Sequence, residues 1–319
     1  MRYAYYPGCS VSGTGRAYEE SLLAVLEALG AGLDELDDWN CCGATAYPSV
    51  DRDKAIALSA RNLALAESRA QGSEHVDLVT PCAGCFRALL TAHGSLEERG
   101  PVARRIDGAL DAVGLRYDRR VRVRHAVDLL VNEIGVEAIS EAVTRPLEGL
   151  KVVCYYGCML VRPNATFDDQ YHPTSMDRLM QAIGAEPIDW SLKTRCCGGA
   201  CYGADPFSGT MPQATLWLGH ALLSEAKRRG ADAVVTACPL CQFNLEAFQE
   251  PMEREFGTHL DLTVGYFTQF LGLALGLDGR RLGTHRMLRW RLPEREPALV
   301  GAPAAAEHAP ATAEGGDDA

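Results

Sequence analysis

No run of apolar residues in this sequence is long enough to cross a bilayer. The best stretch, Leu271 to Leu277, falls far short of the ~20 residues a spanning helix needs, so no transmembrane segment is expected. The opening residues, MRYAYYPGCS, pass straight into an aromatic and apolar run without a basic segment and long hydrophobic stretch. No secretory signal is expected, which leads to a cytoplasmic expectation. Basic residues are in deficit: 31 Lys and Arg against 42 Asp and Glu leave a net charge of −11. Such a chain is ill suited to phosphate backbones, and no nucleic-acid partner is expected. Gly13-Thr14-Gly15 lacks the spacing of a dinucleotide-binding loop, so no nicotinamide site is implied. From Pro293 onward aromatics are absent and Ala, Pro, Gly and acidic residues dominate. That composition cannot offset the entropy of ordering, and residues 291–319 are expected to form a disordered tail.

Cysteine, by contrast, is abundant: there are 12. In a reducing compartment disulfides are disfavoured, so a dense thiol set points to metal or redox chemistry. The thiols follow one pattern written twice. Cys9, the adjacent pair Cys41-Cys42 and the C-x-x-C pair Cys82 and Cys85 are answered by Cys158, Cys196-Cys197 and Cys238 with Cys241. Each set offers five thiols, one more than a tetrahedral zinc site or an ordinary cubane uses. Zinc in one or both halves is the main alternative to iron, and it would leave the fifth thiol without a role.

The repeat reaches beyond cysteine. Tyr5-Tyr6-Pro7-Gly8-Cys9 matches Tyr155-Tyr156-Gly157-Cys158, and Asp38-Trp39 matches Asp189-Trp190. Two similar domains related by a pseudo-twofold axis follow, over residues 1–145 and 146–290. Within each, short apolar runs alternate with helical patterns. Arg2 to Tyr6, Val76 to Thr80, Val121 to Val123, Lys151 to Tyr155, Ala233 to Thr236 and Leu262 to Val264 read as strands. Tyr18, Leu22, Val25, Leu26 and Leu29 recur at helical spacing before Gly30, and Thr215 to Arg229 reads as a helix with a basic end. The class is therefore α/β, each domain a small, mostly parallel sheet flanked by helices. The Arg-rich stretch from Glu97 to Arg120 reads as a solvated helix and loop, with docking of an acidic partner as the alternative. Cys9 and Cys158 follow first strands at glycine turns, and the C-x-x-C pairs fall at strand ends where helix N-termini favour thiolates. Trp39 and Trp190 precede the Cys-Cys pairs and are expected to shield them.

These motifs resemble the B subunit of heterodisulfide reductase, a family of two CCG cysteine-rich domains. The likeness rests on Tyr-Tyr-Pro-Gly-Cys9, Asp-Trp-Asn-Cys41-Cys42-Gly-Ala, Pro-Cys82-Ala-Gly-Cys85, Cys196-Cys197-Gly and Cys238-Pro-Leu-Cys241. Pro173 to Leu179 and Phe270 to Gly276 support it. The resemblance implies two noncubane [4Fe-4S] clusters, one held by Cys9, Cys41, Cys42, Cys82 and Cys85. The other would take Cys158, Cys196, Cys197, Cys238 and Cys241. It implies an oxidoreductase acting on sulfur groups, in which a disulfide enters between the clusters. It also implies two partners, an iron–sulfur C subunit and a flavin-bearing A subunit, and contact with a membrane only through partners. The Ala- and Arg-rich composition turns the substrate expectation toward a bacterial thiol disulfide or a protein-bound persulfide. Similar proteins also serve succinate, fumarate or 2-hydroxy-acid complexes, where this chain would be an electron relay or quinone-facing part.

Two cysteines stand outside the pattern. Cys154 lies on an expected strand and reads as a buried, inert thiol; Cys201, in Cys196-Cys197-Gly198-Gly199-Ala200-Cys201, departs from the family's loop and is a candidate sixth thiol or nucleophile. His125 and His172 are candidates to orient or protonate a substrate thiolate, against the plainer reading of structural histidines.

Overall fold

The computed structural model describes residues 1–44, 47–69, 74–163, 166–202 and 212–293. The expected tail beyond 293 lies outside them. The first half runs β1 (Arg2–Tyr5), α1 (Arg16–Ala28), β2 (Gly32–Glu35), α2 (Tyr47–Val50), α3 (Arg52–Ser68), β3 (Val76–Thr80), α4 (Ala83–Glu97), α5 (Pro101–Asp111) and β4 (Val121–His125). Then α6 (Ala126–Asp128) continues through a π-helical stretch, Leu129–Gly135, into α7 (Val136–Glu141). The second half runs β5 (Lys151–Tyr155), α8 (Ser175–Ala182), β6 (Glu186–Pro187), α9 (Gly199–Tyr202), α10 (Pro212–Arg228), β7 (Ala233–Thr236), α11 (Pro239–Ala247), α12 (Gln249–Phe256), β8 (Thr263–Tyr266) and α13 (Phe267–Ala274).

Two four-stranded sheets result, ordered β2-β1-β3-β4 and β6-β5-β7-β8, with every pairing parallel. Parallel strands need covering on both faces, and their sequences show it. All four residues of β7 and of β8 are buried. α1 turns Tyr18, Leu22, Val25 and Leu26 inward, as its spacing predicts. In α10 the basic Lys227 and Arg228 occupy the last turn, where they complement the helix dipole.

The halves are closed by exchange. α13, at the end of the second half, packs on α1 of the first, and α7, at the end of the first half, packs on α8 of the second. At the seam Tyr18 stacks on Tyr266 with ring centroids 4.4 Å apart. Beside them the buried hydroxyls of Ser21 and Thr268 share a 2.6 Å hydrogen bond.

Two strands, β2 and β6, go beyond the sequence expectation. Both are edge strands paired on one side only, and β6 is two residues long and ends in proline. The Glu97 to Arg120 stretch is the largely exposed helix and loop that was expected, with one apolar stripe turned inward. α5 buries Ala103, Ile106 and Leu110, and Tyr117 is buried behind it. Several of its arginines are occupied internally: Arg105 pairs with Asp53, Arg116 with Asp118 and Arg119 with Asp107.

Candidate metal centres

The fold carries each cysteine set to the C-terminal edge of its sheet, where parallel α/β folds build sites. In the first half β1 ends at Tyr5, and the chain turns at Gly8 to present Cys9. Gly8 has φ +75°, and a Cβ there would stand 2.7 Å from Cys85 Sγ. Only glycine brings the backbone this close to the thiols without strain. Cys82 is the N-cap of α4, so Cys82 and Cys85 flank its first turn. Cys9 Sγ lies 3.8 Å from Cys41 Sγ, and Cys42 Sγ lies 3.3 Å from Cys85 Sγ. The Cys41-Cys42 loop is fixed from behind. Ser59 Oγ donates to the Cys42 carbonyl at 2.8 Å, Asn62 Nδ2 to the Asn40 carbonyl at 2.8 Å, and Tyr6 OH to that same carbonyl at 2.9 Å.

The second half repeats the plan with different fasteners. Cys238 caps α11, and Cys197 Sγ lies 3.5 Å from Cys241 Sγ. Cys158, Cys196, Cys197, Cys238 and Cys241 all line one small cavity. Asn244 Nδ2 donates to the Cys197 carbonyl at 2.7 Å. A buried ion pair replaces the asparagines of the first half: Lys193 Nζ donates to Asp177 Oδ1 at 2.8 Å, and Tyr156 OH donates to Asp177 Oδ2 at 2.7 Å. The Lys193 carbonyl receives the amides of Tyr156 and Gly157, tying the Cys158 turn to the segment before Cys196.

Crowding splits the thiols into those that ionise easily and those that resist. Cys41 is held well below the usual thiol range by hydrogen bonds from Cys42 and Cys9. Cys82 is lowered to about 7 by Cys85, helped by the amides that open α4. Cys196 falls to about 6 beside Cys158. Their neighbours move the other way: Cys9 beside Cys41, Cys158 beside Cys196, and Cys85 between Cys42 and Cys82. Five thiolates cannot share so small a space unless a positive core neutralises them. Among the described residues no three ligand side chains converge on a point suited to one ion, and no disulfide joins the described cysteines. Five crowded thiols in each half are a donor set suited to an iron–sulfur group. Orphaned hydroxyls support that fit. Thr80 and Thr236 occupy the same place in each half, two residues before Cys82 and Cys238. The buried hydroxyls of both, and of Tyr18, have no hydrogen-bond partner among the described residues. Acceptor sulfurs in the cysteine sites would satisfy such donors.

Gly8→Ala checks the cradle. The left-handed backbone alone costs about 1–2 kcal/mol, and the new Cβ crowds Cys85. A lowered Tm together with iron falling toward half of the wild-type amount is expected. Gly30→Ala, at φ +72° with nothing nearby, is expected to lower Tm and leave iron unchanged.

The remaining candidates are placed as follows. His125 is fully buried at the end of β4. Its Nε2 faces the Pro81 carbonyl at 2.8 Å, and its Nδ1 accepts from the Val127 amide at 3.2 Å. Both ring nitrogens are committed to backbone, a structural assignment. Burial lowers its pKa to about 4, so the neutral ring is favoured in the fold. Stability is complete above the unfolded value near 6.5 and is lost as pH falls toward 4. A loss of about 2 kcal/mol between pH 7 and pH 5 is expected from this residue. Denaturant titrations at the two pH values should show that slope, and His125→Gln should remove it. His172 is exposed in a surface turn, its amide donating to Asp169; no described contact joins it to a cysteine. Cys154 is buried on β5 and its thiol is pushed up by burial, as expected of an inert residue. Cys201 falls in α9, and its side chain lies outside the described residues. Trp190 is buried, stands edge-on to Tyr155 and donates to the Cys154 carbonyl at 2.9 Å. Trp39 is half-buried against Tyr6.

Fold and sites together define a duplicated α/β protein with one five-thiol centre in each half. The CCG cysteine-rich domain matches residues 3–89 and again 152–246, and the chain belongs to the heterodisulfide reductase B-subunit family of such two-domain proteins. It is 30% identical to the B subunit of the Ferredoxin/F(420)H(2)-dependent CoB-CoM heterodisulfide reductase of Methanosarcina acetivorans, over 88% of this chain and 92% of that one. It is 31% identical to the 8-methylmenaquinol:fumarate reductase membrane anchor subunit of Wolinella succinogenes, over 88% and 94%. Among solved structures, a hypothetical protein from Helicobacter pylori superposes with a TM-score of 0.70 at 14% identity. That match covers 90% of this chain and 52% of the other, so this chain spans about half its length. Among the described residues no helix is long and apolar enough to cross a membrane.

Proposed function

We infer that this chain is the iron–sulfur subunit of a heterodisulfide reductase-like complex. Cys9, Cys41, Cys42, Cys82 and Cys85 would hold one noncubane four-iron cluster, and Cys158, Cys196, Cys197, Cys238 and Cys241 the other. When bound, the clusters would supply one electron each to the reduction, or accept one each in the formation, of a disulfide or persulfide. The observation that carries this reading is Met159. Its side chain walls the cavity beside Cys42 and also the cavity lined by the second cysteine set. The two thiol centres therefore open toward neighbouring spaces, as a reaction at two sulfur atoms requires. The chain's residues position the thiols: Gly8 admits the first set, and the α4 and α11 N-termini favour thiolate. Electrons would be exchanged through an iron–sulfur C subunit and a flavin-bearing A subunit, which would also carry any membrane contact.

The likeness to the fumarate reductase membrane anchor favours a second reading, an electron relay facing a quinone. The complex purified with its small iron–sulfur partner separates them. Supplied with a reduced dye, it is expected to turn over a thiol disulfide or a persulfide. Rapid quinone reduction with no turnover of either sulfur substrate would sink the sulfur reading.

A further inference from the structure

The two halves match closely around their cysteines, and they part company at one cavity. It has a volume of about 360 Å³ and lies between α3 and α4, with Cys42 and Gly84 on one side and Met159 of the second half on another. Arg52, in the first turn of α3, and Arg87, on α4, both line it, with Thr91 beside them. Neither arginine has an ion pair or hydrogen bond among the described residues. Their basic neighbours are all occupied: Lys54 pairs with Asp51, Arg61 with Asp38 and Arg105 with Asp53. The nearby carboxylates are thus already spent. Two uncompensated guanidinium groups face one cavity in a protein of net charge −11.

The repeat shows that this charge is not part of the shared plan. Gly43 faces Ala55 and Leu58 of α3, as Gly198 faces Thr215 and Leu218 of α10. That register sets Arg52 against Pro212. The C-x-x-C motifs set Arg87 against Phe243, which is exposed and stands edge-on to Phe248. At the two matching positions the sequence of the second half carries no cation. Holding an iron–sulfur group needs neither arginine, since both halves carry the same five thiols.

We propose that this cavity is an oxyanion subsite, in which Arg52 and Arg87 grip a carboxylate or a like oxyanion carried by a small thiol. The sulfur of that thiol would lie toward Cys42. Planar guanidinium groups suit such acceptors, and two of them give both strength and orientation. Of a mixed disulfide, the acidic partner would sit over the first half and the less polar partner toward Phe243 and the second. The inference rests on the sulfur-substrate reading above and names its substrate class.

The test uses the purified complex and two probes of equal shape, 3,3′-dithiodipropionate and its uncharged diamide. Binding is measured by calorimetry, and turnover separately. The wild-type complex is expected to bind the diacid about 10–100-fold more tightly than the diamide. Arg52→Gln with Arg87→Gln should abolish that preference while iron content and diamide binding stay unchanged. Equal affinity of the wild type for both probes, or a preference that survives the double substitution, would overturn the subsite and leave the sulfur reading standing. Selective diacid binding without any disulfide turnover would do the reverse, upholding the subsite and sinking the reading it was attached to.

Discussion

Cys82→Ser is expected to take the iron of protein purified without oxygen from about eight per chain to about four, with acid-labile sulfide falling in step. Cys238→Ser should do the same, and the pair together should leave the protein nearly free of iron. Serine is chosen because Cys82 and Cys238 are the N-caps of α4 and α11, and serine is a favourable N-cap. The helices should therefore survive, and the loss of iron cannot be put down to unfolding. Turnover is expected to fall at least about 100-fold in either single variant, because a two-electron reaction shared by two centres cannot run on one. Iron unchanged in Cys82→Ser would exclude that thiol from the first ligand set. Zinc replacing iron in one half of wild-type protein would make that half structural.

Tyr18→Ala is expected to destabilise the protein by about 3–5 kcal/mol, the range for emptying a fully buried aromatic site. Tyr18 is completely buried and stacks on Tyr266 at the seam, so the cavity opens between the halves and cannot easily collapse. Tyr18→Phe isolates the hydroxyl. That hydroxyl is buried with no hydrogen-bond partner among the described residues, so in protein stripped of iron its removal is expected to be neutral or stabilising by about 1 kcal/mol. In loaded protein the sign should reverse if the hydroxyl donates to a sulfur of the centres, and the reduction potential should fall as a hydrogen bond is lost. Urea titrations and potentiometry on the same two preparations read both effects. A Tyr18→Phe variant identical to wild type in both would make the orphan hydroxyl a bystander.

Much of this was legible in the sequence, for reasons that particular residues make clear. The central strands β3, β5 and β7 are buried on both faces, so their apolar runs stand out against polar flanks. The cysteine sets were visible because their spacing is repeated, and the fold gathers each set at one sheet edge. Of the four edge strands, Val121–His125 and Thr263–Tyr266 were legible from their apolar runs, whereas Gly32–Glu35 and Glu186–Pro187 were not, because they carry little β-forming signal. His125 reads mainly as a structural histidine with a chemical role as the alternative, and nothing in Arg124-His125-Ala126 shows that Pro81 and Val127 occupy both ring nitrogens. Arg52 and Arg87 gave no signal at all. Each is an ordinary helical arginine until the fold sets both over one cavity and commits the neighbouring carboxylates elsewhere.

The exchange of terminal helices also has a consequence for the order in which the protein is made. The helix that covers α1 (Arg16–Ala28), Phe267–Ala274, is synthesised only after a long intervening stretch of chain. At about 5–20 residues per second the intervening chain takes on the order of ten to fifty seconds to appear. Throughout that interval Tyr18 lacks Tyr266 and Ser21 lacks Thr268. A nascent first half is therefore a half-built vessel. A cluster of the kind proposed, inserted before that last helix seats, would lack the cover that the finished fold gives the first half.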